Sequence, residues 1–351
     1  MLLGCHVNRG QHAAEQTSKQ TSEQTSEHAA EHAAEHAAEH AAEHAAEQTS
    51  EQTSKQTSEQ TSKHATESIV SHIQKARDAA FSCGVDLKAA QIFVGGPYAR
   101  KIIMDAAESA ALRRYIDDQK FTVYAHSAYV APLFRGDPDA AKYVREELAT
   151  CAAAGIRGLV VHLPKAPIDK VLKYITRTLC PASSRVCLFL ETPAVTPPET
   201  YYETPEKLNE LFDALLTLDP DRTLFGLCVD TAHIWTSGVD ISSRGDAEEW
   251  LSRLALAGVP LMFHLNDSER ACGTGPDSHA ALLSGRIWQE YESHPRASGL
   301  AAFLEYAEQH RTVVILERKP KEALDADYRH LVQMAPSLNL TKNDTDGDHK
   351  P

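Results

Sequence analysis

Short apolar runs alternate with longer segments of helical periodicity along most of the chain. The runs are Leu2–Val7, Ala90–Val94, Phe121–His126, Gly158–His162, Val186–Glu191, Leu224–Asp230, Leu261–Asn266 and Thr312–Glu317. They are rich in Val, Ile, Leu and Phe, the composition of strands covered on both faces. Between them, segments such as Ala140–Ala154 and Ala247–Ala257 place apolar residues at helix spacing. Eight strand–helix units predict an α/β fold, a closed parallel (β/α)8 TIM barrel. An open doubly wound sheet would more often carry a Gly-rich phosphate turn after its first strand. GCHVNRG is not such a turn.

One stretch has no apolar pattern. From Gln11 to Thr66 the chain repeats every four residues, as QHAA, EQTS, KQTS, EQTS, five EHAA, then EQTS, EQTS, KQTS, EQTS and KHAT. Nothing apolar beyond alanine occurs there, so the tract cannot bury a core. Its EHAA block (Glu27 to Ala46) favours helix but stacks Glu on Glu at i, i+4, which predicts a fraying helix in a disordered arm. The organisation expected is a first barrel strand in 1–10, a low-complexity insertion in 11–66, the rest of the barrel in 67–340 and a disordered tail in 341–351.

Charge changes this picture little. The net charge is −14, but the tract holds ten Glu against three Lys and so supplies half of it. A nucleic-acid partner is therefore not excluded, the more so because bound cations would shift the balance. Seven scattered cysteines without a C-x-x-C argue against a disulfide framework or zinc finger and suit a reducing, intracellular compartment. No run of 18 apolar residues occurs, so no membrane-spanning helix is expected. The start MLLGCHVNRG lacks the features of a secretory signal.

The candidate chemistry lies in how the apolar runs end. Strand three finishes at His126, strand four at His162 and strand five at Glu191. Strand six finishes at Asp230 with His233 following, strand seven at His264 and strand eight at Glu317. The C-terminal ends of barrel strands form the catalytic face. Any one of these histidines alone reads as a satisfied core or surface residue; six converging sites do not. Asp230 and His233 are three apart, so one turn aims both inward. Asp277 and His279 are two apart, so an extended loop puts both on one face. Five histidines and four carboxylates form a nitrogen and oxygen donor set that favours Zn2+, with Mn2+ or Fe2+ as substitutes. Nine donors exceed the needs of one tetrahedral ion and suit two or three. The i, i+4 histidines of the tract (His28, His32, His36, His40, His44) also have a metal-sharing spacing, although repeat expansion explains them more simply.

LCVDTAHIWTSGVDI and FHLNDSERACGTGPDSH resemble the Asp-Thr-x-His and His-Leu-Asn-Asp…Asp-x-His signatures of the endonuclease IV family, zinc-dependent apurinic/apyrimidinic endonucleases built on TIM barrels. The resemblance runs from LLGCHV to VVILERK outside the tract. It implies three zinc ions: one on His126, His162 and Glu191; a second on Glu191, Asp230, His264 and Glu317; a third on His233, Asp277 and His279. It also implies hydrolysis of the phosphodiester 5′ to an abasic site in double-stranded DNA, leaving a 3′-hydroxyl and a 5′-deoxyribose phosphate. Glu191 and Glu317 would be the catalytic carboxylates. Tyr129 would be the DNA-inserting aromatic, with Tyr98, Arg100 and Lys101 the nearest candidates for the family's basic contact after strand two.

Three loops depart from the family pattern. Leu163-Pro164-Lys165 stands for Pro-Gly-Ser-His, Thr192-Pro193-Ala194 for Asn-Thr-Ala-Gly, and Leu283-Ser284-Gly285 for Gly-Glu-Gly. These changes bear on rate and substrate range more than on metal binding. Sugar isomerases and epimerases share the barrel and a two-metal site but do not need His233, Asp277 and His279. A UV-damage endonuclease would share the chemistry, and a non-catalytic metal-binding scaffold would share only the donors. A monomer is expected. The tract, inserted after strand one with a coil span of roughly 40 Å, reads as a tether or an arm for an unknown partner.

Overall fold

The structure, a computed structural model, describes residues 1–7, 67–129, 137–179, 186–194, 197, 201–318 and 321–335. The tract at 11–66, its helix-prone block and histidines, and the tail at 341–351 lie outside the described residues. The chain divides into two units, Asn8–His72 and a second that joins Met1–Val7 to Ile73–Pro351. The second unit is the barrel.

Its eight strands are β1 (Leu2–Val7), β2 (Ala89–Phe93), β3 (Thr122–His126), β4 (Gly158–His162), β5 (Cys187–Glu191), β6 (Phe225–Asp230), β7 (Leu261–His264) and β8 (Val313–Leu316). Each pairs in parallel with its neighbours in sequence, and β1 pairs with β8 to close the ring. The helices are α1 (Ile69–Ser82), α2 (Ala106–Gln119), α3 (Pro138–Ala154), α4 (Ile168–Leu179), α5 (Pro205–Leu215), α6 (Thr231–Thr236), α7 (Arg244–Ser252), α8 (Gly299–His310) and α9 (Lys321–Met334). All eight expected strands are present, two with the expected bounds and six displaced by one or two residues at an end. The helix expected over Ala247–Ala257 starts earlier and stops at Ser252, because the chain turns through Gly258 at a positive φ of 80° before entering β7. None of the described helices is long and apolar enough to cross a membrane.

Helix entries are set locally. Asp137 accepts from the amides of Asp139 and Ala140 at the start of α3, with Pro138 in the first turn, and Gly155 ends it at φ 75°. Asp105 caps α2 by accepting from Glu108 N.

The barrel interior is layered by the period-two alternation of strands. Ala89, Tyr124, Val160, Phe189, Cys228, Met262, Val313 and Ile315 form its apolar floor. The Phe189 ring meets Tyr124 edge-on, centroids 5.6 Å apart, and lies between two glycines. A Cβ on Gly158 or Gly226 would sit 2.6 Å from opposite edges of that ring. Side chains are therefore excluded at both positions so that one large ring can fill the space.

Gly226→Ala is expected to lose about 1–3 kcal/mol by overpacking, read from denaturant midpoints. Gly245→Ala, where an added Cβ meets only Ser243 Oγ at 3.9 Å, serves as the control and should be neutral or mildly stabilising. Equal midpoints for the two variants would refute the packing account.

Candidate metal centre

The same alternation that builds the apolar floor lifts polar residues to the barrel mouth. Two residues beyond Tyr124 stands His126; beyond Val160, His162; beyond Phe189, Glu191; beyond Cys228, Asp230; beyond Met262, His264; beyond Ile315, Glu317. Parallel pairing then sets neighbours level: His162 opposite Glu191, and Asp230 opposite His264. Two further elements reach the same mouth. Asp230 caps α6, accepting from Ala232 N at 2.7 Å and His233 N at 3.0 Å, which fixes His233 one turn on. After β7, Asp267–Ser268 pairs antiparallel with His279–Ala280 and returns His279 to the site.

Glu191 is the hub. Its Oε2 lies 3.1 Å from His126 Nε2 and 3.0 Å from His162 Nε2, while Oε1 lies 2.9 Å from His264 Nδ1. Glu317 Oε2 is 3.1 Å from the same His264 nitrogen. Asp277 spans two imidazoles, with Oδ2 3.3 Å from His233 Nε2 and Oδ1 3.2 Å from His279 Nε2. Among the described residues, His126, His162 and Glu191 can share an ion, as can Glu191, Asp230, His264 and Glu317, and Asp230, His233 and His279. All nine expected donors thus come together. Asp230 reaches both of the latter groups, a bridging place that the sequence does not reveal. Cys228 falls near Glu191 and His264, but burial raises its thiol pKa strongly, so it stays a neutral core residue.

Four imidazoles turn their outer nitrogen away from the carboxylates to an acceptor. His126 Nδ1 contacts Ser127 O at 2.7 Å, His233 Nδ1 Thr192 O at 2.7 Å, His279 Nδ1 Glu317 O at 3.0 Å, and His264 Nε2 Gln91 Oε1 at 2.9 Å. Each outer nitrogen must donate, so each inner nitrogen presents a lone pair once it is deprotonated. A bare lone pair 3 Å from a carboxylate is repulsive, so the arrangement demands protons or cations between them. The buried His279 Nε2 lies between Asp277 Oδ1 at 3.2 Å and Asp230 Oδ2 at 3.7 Å. Imidazole nitrogens facing convergent carboxylates fit a divalent cation with nitrogen and oxygen ligands.

The departing loops have structural work of their own. Thr192 Oγ1 accepts from Asp230 N at 3.0 Å, so this residue orders both Asp230 and His233. Asn266 donates to Asp230 Oδ2 at 2.7 Å and accepts from Glu317 N at 3.0 Å. The buried Asp267, its carboxyl pKa pushed up to about 6 by burial, accepts from the amides of Ser268, Gly285 and Ile287. Reading only the residue that ends each strand misses His6 and Gln91, which are buried at the mouth on β1 and β2. Their signal was a polar residue at inward parity within an apolar strand.

At the rim, Tyr129 and Tyr98 are 49% and 64% exposed with ring centroids 5.7 Å apart. Tyr129 also lies 5.4 Å from the His126 ring and 5.9 Å from that of His162. Arg100 is engaged elsewhere, its guanidinium 2.5 Å from Asp137 at the start of α3.

Burial presses the pKa values of His126, His233 and His279 down, but the facing carboxylates overcome it. His233 rises well above the ordinary range through Asp230 and Asp277, and His279 reaches about 9 through Asp277 and Asp230. Burial raises the Glu191 carboxyl, yet His162, His264 and His126 draw it well below its usual value. A raised folded-state imidazole pKa contributes stability that is complete below about 6.5 and lost as pH climbs through 9. Metal-free protein should therefore lose on the order of 2 kcal/mol between pH 6.5 and 9.5. Denaturant titrations across that window test this, and a flat or rising profile would contradict it.

A model of the xylose isomerase-like TIM barrel family matches residues 73–333. A probable AP endonuclease of African swine fever virus is 35% identical over 259 residues, covering 72% of this chain and 85% of the viral protein. A probable endonuclease 4 of Mycoplasma genitalium is 27% identical over 254 residues, covering 66% and 84%. Among solved structures, AsfvAP:AG superposes with a TM-score of 0.69 at 34% identity, covering 76% of this chain and 90% of the other. Endonuclease IV from Thermus thermophilus superposes with a TM-score of 0.60 at 25% identity, covering 74% and 94%. With sequence, barrel and mouth residues in agreement, the chain belongs to the endonuclease IV family of xylose isomerase-like TIM barrels.

Proposed function

We propose that this protein is a DNA-repair endonuclease that hydrolyses the phosphodiester 5′ to an abasic site, leaving a 3′-hydroxyl and a 5′-deoxyribose phosphate. The observation that carries the reading is the outward-donating set of imidazoles around Glu191, Glu317 and Asp230, a donor arrangement built for cations. The relatives named AP endonuclease and endonuclease 4 supply the substrate class.

Three zinc ions fit the donors, with Mn2+ a possible substitute. His126, His162 and Glu191 would hold the first. Glu191, Asp230, His264 and Glu317 would hold the second, and His233, Asp277 and His279 the third, which Asp230 also approaches. Such ions supply hydroxide at neutral pH and neutralise charge developing on phosphoryl oxygens. The chain's own residues do the rest. Glu191 holds His126 and His162 against one carboxylate oxygen and His264 against the other. Glu317, its backbone amide tied to Asn266, would orient the attacking water. His162, with a side chain 44% exposed, faces the approaching phosphate.

Tyr129 and Tyr98 form an aromatic lip suited to stacking against the unpaired stretch beside the lesion. A nucleotide without a base costs least to extrude, which is a source of selectivity. The Asp277–His233–His279 group has no use in a two-metal sugar isomerase, which disfavours that reading. The barrel carries the activity, and the tract at 11–66 acts as a tether or partner arm outside the catalytic unit.

Duplex DNA with one stable abasic analogue should be cut 5′ to the lesion, chelation should abolish cutting, and zinc should restore it. Zinc-loaded protein that leaves the duplex intact would sink the proposal. Glu191→Gln and Glu317→Gln should each lower kcat by about 10²–10⁴-fold. Tyr129→Ala should raise KM roughly tenfold with little change in kcat, and a fall in kcat alone would contradict the stacking role. Removing residues 11–66 should leave or raise activity; a large loss would place the tract in the catalytic unit.

A further inference from the structure

Gln91 is fully buried at the centre of β2, two residues beyond the floor residue Ala89. Neither the strand-end pattern nor the family signature includes it. Its amide touches three mouth residues at once. Nε2 lies 2.6 Å from Glu317 Oε1 and 3.1 Å from His6 Nδ1, and Oε1 lies 2.9 Å from His264 Nε2.

The directions of these bonds follow from one another. An ionised carboxylate only accepts, so the amide nitrogen must face Glu317. That turns the amide oxygen to His264, and an amide oxygen also only accepts. His264 Nε2 therefore carries a hydrogen. The remaining nitrogen, Nδ1, is the one that faces Glu191 Oε1 at 2.9 Å and Glu317 Oε2 at 3.1 Å. The second amide hydrogen lies on the side of His6 Nδ1, 3.1 Å from the amide nitrogen. His6 Nδ1 also stands 3.4 Å from Glu317 Oε1, so the imidazole closes the back of the carboxylate. One neutral side chain thus fixes the ring of a ligand on β7 and the carboxylate of a ligand that follows β8, from a strand that contributes no ligand itself.

We propose that Gln91 is a positioning residue that selects Nδ1 of His264 as the coordinating atom and aims Glu317 Oε2 into the centre. This rests on the reading that Glu191, Asp230, His264 and Glu317 hold a divalent cation. Partners of this kind typically change metal affinity roughly 10–100-fold on removal. The amide matters for its bonding and not its bulk, so Gln91→Met, of similar length and without hydrogen bonds, is the informative change.

Two measurements test it. In wild-type protein loaded with 113Cd, the 15N–113Cd coupling of His264 should appear on Nδ1, with the hydrogen on Nε2; coupling to Nε2 would overturn the proposal without any variant. In chelator competition with Zn2+, Gln91→Met should bind one ion about 10–100-fold more weakly and the others as wild type does. Its kcat on the abasic duplex should fall while KM holds. A folded Gln91→Met protein with wild-type affinity and kcat would also overturn it. Wild-type protein that binds no cation would defeat the cluster reading itself, whereas protein that binds cations normally but does not cut DNA would defeat only the proposed activity.

Discussion

A carboxylate buried at the top of the barrel, Glu191, is the interaction on which the centre depends. Taking an ionised group out of water costs several kcal/mol unless opposite charge meets it. Its close partners among the described residues are imidazoles, those of His126, His162 and His264, from three other strands of the ring. Each can meet the charge as an imidazolium or hand its place to a cation. Glu317 and Asp230 repeat the arrangement with His264 and His279. The mouth is thus stable only when positively charged species fill it, and that is the property a metal centre requires. The apolar layers beneath offset the remaining cost, with Phe189 and its neighbours packed around two glycines.

Much of this was legible in the sequence because strand geometry is simple. Inward side chains recur every two residues, so an apolar run that ends in His, Glu or Asp declares both the strand and the direction of its last side chain. That rule finds His126, His162, Glu191, Asp230, His264 and Glu317 and with them the barrel. His233, Asp277 and His279 needed a turn and a loop as well, and there the family signature was the stronger guide. What could not be read were the relations across strands. That Asp230 approaches two donor groups, that Thr192 holds both Asp230 and His233, and that Gln91 ties β2 to β7 and β8 depend on register and stagger. Sequence spacing within one strand carries no such information.

The altered loops also have a physical account. Thr192 supplies a hydroxyl and a carbonyl to the third donor group from the position where the family pattern has asparagine. Leu283-Ser284-Gly285 is organised by Asp267, whose carboxylate oxygens accept backbone amides from Gly285 and Ile287; a Cβ on Gly285 would overlap that carboxylate. These substitutions preserve the order of the mouth while changing the surface it presents. Tyr98 and Tyr129 are its most exposed aromatic groups among the described residues, and their pairing differs in character from a basic contact.

On the proposed reading, Glu191 joins two cation positions at the barrel mouth. Anomalous diffraction at the zinc edge from crystals of zinc-loaded protein tests it most directly. Three peaks are expected, two of them flanking the Glu191 carboxylate and the third among His233, Asp277 and His279. Crystals with zinc present in solution and no peak beside Glu191 would contradict it.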